Sequence, residues 1–150
     1  MKVKFEIVII EYIPKLLAMM GKFNAIYDYP FNAIITEQNL TEFLGNASLG
    51  RLWLIYAKSK PIGYFVLTFG FSFEYGGRDA FIDELFIEED FRQRGVGKKT
   101  MKFVLSEAKR LHIKAVHLEV EKHNKKGHQL YIKSGFMSTY RELLTNCLIE

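Results

Sequence analysis

Seven consecutive residues, Arg92-Gln93-Arg94-Gly95-Val96-Gly97-Lys98, combine three cations with two glycines shortly after an apolar run, Leu85-Phe86-Ile87. Residues without side chains let an anion approach the main chain closely, and the free N–H groups of a starting helix favour negative charge. A phosphate-bearing ligand suits such a loop; a structural tight turn is the alternative that the fragment alone leaves open. Two standard nucleotide loops do not fit. A P-loop needs a glycine where Arg92 stands and a Ser or Thr where Lys99 stands. The dinucleotide fingerprint needs a third glycine at the position of Thr100.

Upstream lie two adjacent carboxylates, Asp83 and Glu84, with Glu119 as a third acid further along. A carboxylate beside a cleft is a natural proton acceptor. Strand alternation lets only one of Asp83 and Glu84 face that cleft unless a bulge intervenes. The charge around them is divided. Residues 92–126 carry 11 Lys+Arg against 3 Asp+Glu, whereas Asp83, Glu84, Glu88, Glu89 and Asp90 crowd just before. An acidic patch beside a basic loop fits an enzyme that joins a phosphate-bearing cofactor to a cationic amine. The basic segment lacks the interleaved aromatics of a nucleic-acid surface.

The elements that must position these residues follow from periodicity. Strands are expected at Lys2–Ile10, Leu52–Ala57, Ile62–Phe73, Phe81–Ile87 and Ala115–Val120, then at Phe136–Arg141 and Leu143–Ile149. Helices are expected over Tyr12–Tyr27, from an N-cap at Thr36 to Leu44, over Val96–His112, and over Asn124–Ser134 with Gly135 closing the last. The succession from Phe81 to Val120 implies a right-handed crossover and one parallel pair, while the hairpins imply antiparallel neighbours. The expected fold class is α/β (α+β): a mixed, mostly antiparallel twisted sheet of six to seven strands flanked by about four helices. A length of 150 residues with no repeat or linker predicts a single domain spanning 1–150.

Composition narrows the setting. A hydrophobic fraction of 49% and a charged fraction of 25% suit an ordinary globular protein. No apolar stretch reaches the roughly 20 residues that cross a bilayer. Cys147, the one cysteine, rules out an internal disulfide and predicts a reducing compartment, the cytoplasm. It reads as a small buried hydrophobe. His112, His117, His123 and His128 show none of the paired spacings of a zinc site, so no metal is expected.

Arg92-x-x-Gly95-x-Gly97 after a strand resembles the Arg/Gln-x-x-Gly-x-Gly/Ala signature of the GCN5-related N-acetyltransferase (GNAT) superfamily. Asn124, Leu130-Tyr131 and Gly135-Phe136 are similar to its second segment, and the element order of the whole chain looks like that family. Gly127 departs from it, standing where alanine is common. The resemblance implies transfer of an acetyl group from acetyl-CoA to an amine by direct attack, with both substrates bound together. It implies that Arg92, Gln93, Arg94, Gly95, Val96, Gly97 and Lys98 hold the pyrophosphate of coenzyme A. The main chain of Leu85, Phe86 and Ile87 would then hold the pantetheine arm, with Asn124 bonding arm or loop. An N–H near Ile87 would polarise the thioester oxygen. Tyr131 would protonate the departing thiolate, and Asp83 or Glu84, directly or through water, would take the proton of the amine. A binding module that senses acyl-CoA without turnover is the alternative, and it needs neither the acids nor Tyr131. The acceptor reads as a cationic small molecule or a peptide amine. Tyr27, Tyr29, Phe31 and the loop end of the Tyr64–Tyr75 hairpin are candidates to wall its site. A homodimer paired through Leu143–Ile149 is a further expectation.

Overall fold

The computed structural model describes residues 1–149. Strands β1 (Lys4–Ile7), β2 (Gly50–Ala57), β3 (Lys60–Ser72), β4 (Gly77–Ile87) and β5 (Val116–His117) form one sheet in the order β1-β2-β3-β4-β5. Neighbours are antiparallel except β4 and β5, which are parallel. Helices α1 (Ile13–Ile26) and α2 (Ala33–Leu44) precede the β2–β3 hairpin; α3 (Val96–Arg110) makes the β4–β5 crossover and α4 (Lys125–Lys133) follows.

Both faces of the central strands are covered, which explains why Leu52–Tyr56 reads as a continuous apolar run. Along β2 the side chains alternate between two cores. Leu52 and Leu54 join Leu16, Met19 and Met20 of α1 on one face, whereas Trp53 and Ile55 join Met101 and Val104 of α3 on the other. Tyr64 and Phe65, adjacent and both fully buried, go one to each core. Among the described residues no helix is long and apolar enough to cross a membrane.

Three expectations are corrected. Helix α2 is capped by Asn32, whose Oδ1 accepts from the Ile35 N–H at 3.0 Å, and not by Thr36. The Thr36 hydroxyl instead donates back to the Asn32 carbonyl. Second, β5 has two residues where six were expected. Third, no strand forms at Phe136–Arg141 or Leu143–Ile149, so the described residues form five strands instead of six or seven. A strand exists only where its main-chain groups find partners. Among the described residues, no main-chain hydrogen bond joins 137–149 to the rest of the chain. Leu143, Leu144, Leu148 and Ile149 are accordingly exposed, and so is Cys147, contrary to its reading as a buried hydrophobe.

Candidate active site

Strands β4 and β5 pair at Ala80–Val116 and Phe81–His117. Beyond Phe81 they part, and a cleft of about 460 Å³ opens between Ile82–Leu85 on one side and Leu118–Glu121 on the other. Tyr27 and Tyr29, stacked with ring centroids 5.5 Å apart, wall it from the end of α1, and Tyr131 closes it from α4. Phe31 does not line the cleft, and from the β3–β4 hairpin it is Phe81 that does.

The bulge that would let both acids reach one cleft is present. The register between β3 and β4 shifts at Val66/Leu67, leaving Asp83 as the extra residue. Side-chain parity reports the same slip. Ile82 packs on the α3 side, as do Leu85 and Ile87, whereas Phe86 packs on the α1 side. Glu84 follows Phe86, and the Tyr64 hydroxyl donates to its Oε1 at 2.7 Å.

Lost hydration raises the Glu84 carboxyl above its ordinary value. The Tyr64 hydrogen bond pulls the other way, and the Asp83 charge pushes it up again. Desolvation raises Asp83 as well, although its side chain opens to the cleft mouth. The stability consequence has a definite sign. A carboxyl whose folded pKa is raised contributes stability below its unfolded value and loses it as pH climbs through the folded one. Replacing Tyr64 by phenylalanine removes the one donor favouring ionised Glu84, so a carbon-13 titration of the Glu84 carboxyl should show a higher midpoint. An unmoved or lower midpoint would mean that the bond does not bias the proton.

Among the described residues four carboxylates, Asp83, Glu84, Glu119 and Glu121, line the cleft, and no Lys, Arg or His does. Burial, with Tyr27 nearby, raises the pKa of Tyr131 and keeps its phenol protonated. Its ring meets Phe136 edge-on at 6.2 Å.

The glycine loop sits at the N-terminus of α3. Gln93 at φ 60° and Gly95 at φ 81° turn the chain into the helix, and Gly95 caps it without any side-chain hydrogen bond. The first N–H groups are therefore not taken by a side-chain cap. A Cβ on Gly95 would meet nothing within 4 Å, but the φ itself favours glycine. Gly97 has another reason. A Cβ there would lie 3.0 Å from Leu130 Cδ2, so this glycine lets α3 close on the helix that carries Tyr131. Val96 anchors the turn in the core, while Arg94 and Lys98 face solvent. Arg92 Nε donates to the Ile87 carbonyl at 2.8 Å, tying the loop to the end of β4.

Asn124 lines the cleft and also caps α4, its Oδ1 accepting from the Gly127 N–H at 2.9 Å. A Cβ on Gly127 would come within 2.5 Å of Asn124 Nδ2, which accounts for glycine here. The loop and the cleft are thus brought together: Leu85, Asn124 and Tyr131 lie in the cleft, and the loop lies across the Gly97–Leu130 contact from it. Sequence reasoning missed Tyr64 and Glu121. Tyr64 is twenty residues from Glu84, and only the strand register, which pairs Tyr64 with Phe86, brings it there. Among the described residues no three His, Cys, Asp or Glu side chains converge as a metal site would require; His117 pairs instead with Asp79 at 3.0 Å.

Comparison with known proteins returns one family. The profile of the acetyltransferase (GNAT) family matches residues 17–136. No curated protein matches the chain. Among solved structures, an integron cassette protein from the mobile metagenome of Cole Harbour Salt Marsh is 29% identical with a TM-score of 0.88, covering 97% of this chain and 91% of that one. A predicted acetyltransferase from Clostridium acetobutylicum, solved with acetyl-CoA, is 19% identical at TM-score 0.81, with 97% and 96% covered. An aminoglycoside 6'-N-acetyltransferase from Acinetobacter baumannii is 16% identical at TM-score 0.78, with 99% and 100% covered. At these last two identities the likeness is one of fold.

Proposed function

This chain belongs to the GNAT acetyltransferase family, and from that premise we propose that it transfers an acetyl group from acetyl-CoA to a primary amine seated in the acidic cleft. The observation that carries the reading is the lining of that cleft among the described residues: four carboxylates, no cation, and the half-buried phenol of Tyr131, with the uncapped N-terminus of α3 across the Gly97–Leu130 contact. We read residues 1–150 as one such domain, working in the reducing compartment that a lone thiol suits.

The loop fits a diphosphate, because the open turn at Gly95 and the free α3 amides are flanked by Arg92, Arg94 and Lys98. Gln93 and Val96 shape that turn. From Ile82 to Ile87, one edge of β4 has no strand partner. We place the pantetheine arm along this edge, at Leu85, Phe86 and Ile87, like an added strand; the Ile87 carbonyl is already held by Arg92, so Ile87 offers its N–H. Asn124 Oδ1 is spent on its cap, so its Nδ2 is the group left for the pantetheine arm. Acetyl-CoA, when bound, supplies an acetyl group activated as a thioester.

The rest of the chemistry belongs to this chain's side chains. An alkyl ammonium has a pKa of about 10.4 and must lose a proton before it can attack. Glu84, fixed by Tyr64 and raised by burial, takes that proton directly or through a water. Asp83 stands next to it at the cleft mouth as the second candidate base. Tyr131 holds a proton on Oη for the departing sulfur. Glu119, Glu121 and the Tyr27–Tyr29 stack attract a cation, so the acceptor is a cationic amine. That a solved neighbour is an aminoglycoside N-acetyltransferase agrees with a small-molecule acceptor.

The test is thermal unfolding with acetyl-CoA, with NAD and ATP as controls. A ligand that binds only the folded state at about a hundred times its Kd adds roughly 2.7 kcal/mol, which moves the midpoint by several degrees. A rise with acetyl-CoA alone, followed by amine-dependent thiol release, is the expected result. Binding without thiol release for any amine would favour a sensor, and no rise would overturn the reading.

A further inference from the structure

Side chains tie β4 to β5 at the point where the cleft begins. His117 Nε2 lies 3.0 Å from Asp79 Oδ2, with 24% and 16% of the two side chains exposed. A carboxylate can only accept, so the shared proton sits on Nε2. The imidazole is also held between two rings, Tyr75 at 5.3 Å and Phe81 at 5.0 Å. Asp79 has a seat of its own. It pairs with Gly70 on β3, where a Cβ would lie 2.8 Å from Asp79 Oδ1, so the carboxylate uses space that a larger residue would fill.

Alternation turns this group toward the acid face of the sheet. Val116 and Leu118 pack into the α3 core, so His117 between them projects to the opposite face. Ile82 packs on α3 as well, which sends Phe81 and Asp79 the same way as His117. Phe81 then lines the cleft at the end where the two strands are still joined, and His117 stands behind it, outside the lining. The Phe81 ring remains 38% exposed. Among the described residues, the imidazole is the one ring that packs on it.

We propose that Phe81 limits the girth of the amine that the cleft admits, and that His117, anchored by Asp79, is the positioning residue that holds the Phe81 ring in place. This rests on the acetyl-transfer reading above. An aromatic side chain on a strand has more than one staggered rotamer open to it unless a neighbour blocks the others. His117 blocks them from the β5 side. Without the imidazole, the Phe81 ring can swing into the space left behind, and the cleft widens at its joined end. With it, a slim alkyl ammonium passes among the four carboxylates while a cyclic body of the same length meets the ring. Selection by shape is thus laid over selection by charge.

Two diamines of equal length and unequal girth test this on the full chain: hexamethylenediamine and its ring-bridged analogue, bis(aminomethyl)cyclohexane. With acetyl-CoA, kcat/KM of the parent should favour the slim amine by roughly tenfold or more. His117→Ala and Phe81→Ala should each raise the ratio of ring-bridged to slim by about tenfold. His117→Gln, whose side-chain N–H still reaches Asp79, should recover most of the parent ratio. A pair that merely staples the sheet would lower both rates alike and leave the ratio unmoved, which would overturn the proposal. Equal use of the two amines by the parent would do the same. Nitrogen-15 NMR of the parent imidazole should show the proton on Nε2; an Nδ1–H tautomer would sink the Asp79 anchor without recourse to any variant. If neither amine releases thiol, the acetyl-transfer reading fails separately, and the same ratio is then read from the Kd of each amine for the folded protein. Absence of binding by both amines overturns both readings.

Discussion

Replacing Glu84 by glutamine is expected to lower kcat/KM for an amine by roughly 10²–10⁴-fold, the usual contribution of a positioned base. The thermal shift with acetyl-CoA should survive. Glutamine keeps the shape, and its carbonyl oxygen still accepts from Tyr64, so the 2.7 Å bond need not be lost. The pH profile is the sharper readout. In the parent the rate should rise with pH as Glu84 loses its proton. Because burial raises that carboxyl, the rise should be centred above the ordinary carboxylate range. The substituted protein should lose that limb. If Asp83→Asn removes it instead and Glu84→Gln does not, the base is Asp83, and Glu84 serves to hold the strand.

Tyr131→Phe should slow acetyl transfer by about 10²-fold or more while changing acetyl-CoA affinity little. The ring stays against Phe136 and only the hydroxyl is removed, so the edge-to-face contact at 6.2 Å is retained. Burial keeps that phenol protonated at neutral pH, as a donor requires. Single-turnover kinetics beside equilibrium binding separate the two roles. A parallel loss in both would make Tyr131 a packing residue of the α3 core, to which its ring also belongs.

The family and the glycine turn at the start of α3 were legible in the sequence because their signals are local. Arg92, Gly95 and Gly97 lie within six residues, and their types are dictated by one turn and one helix start. The two cores were half legible. Residues 52–56 read as a strand, but alternation vanishes when both faces are buried, so the partition of Leu54 from Ile55 needed the helices in place. Thr36 looked like a cap because the motif tolerates many residues; Asn32 won since its side chain reaches the Ile35 amide. Asp83 and Glu84 were found together but could not be separated, since the slip at Val66/Leu67 is a property of two paired strands. The last two strands failed for a related reason. Phe136–Ile149 has the composition of strands, but a strand is a relation between segments, and no segment of this chain takes the other part.

The slip at Asp83 makes β4 a strand of two half-strands that are out of phase. Packing then fixes neither identity nor length at this position. Another side chain at 83 alters the charge at the cleft mouth and leaves the packing alone, since Asp83 enters neither core. Loss of the residue would also leave it alone, closing the bulge into a regular ladder with Ile82 opposite Leu67 and Glu84 opposite Val66, as they are now. Ile82, Leu85 and Ile87 would keep to the α3 side and Phe86 to the α1 side, with Glu84 still facing Tyr64. Packing therefore lets natural variants of this protein differ both in what stands at 83 and in whether anything does.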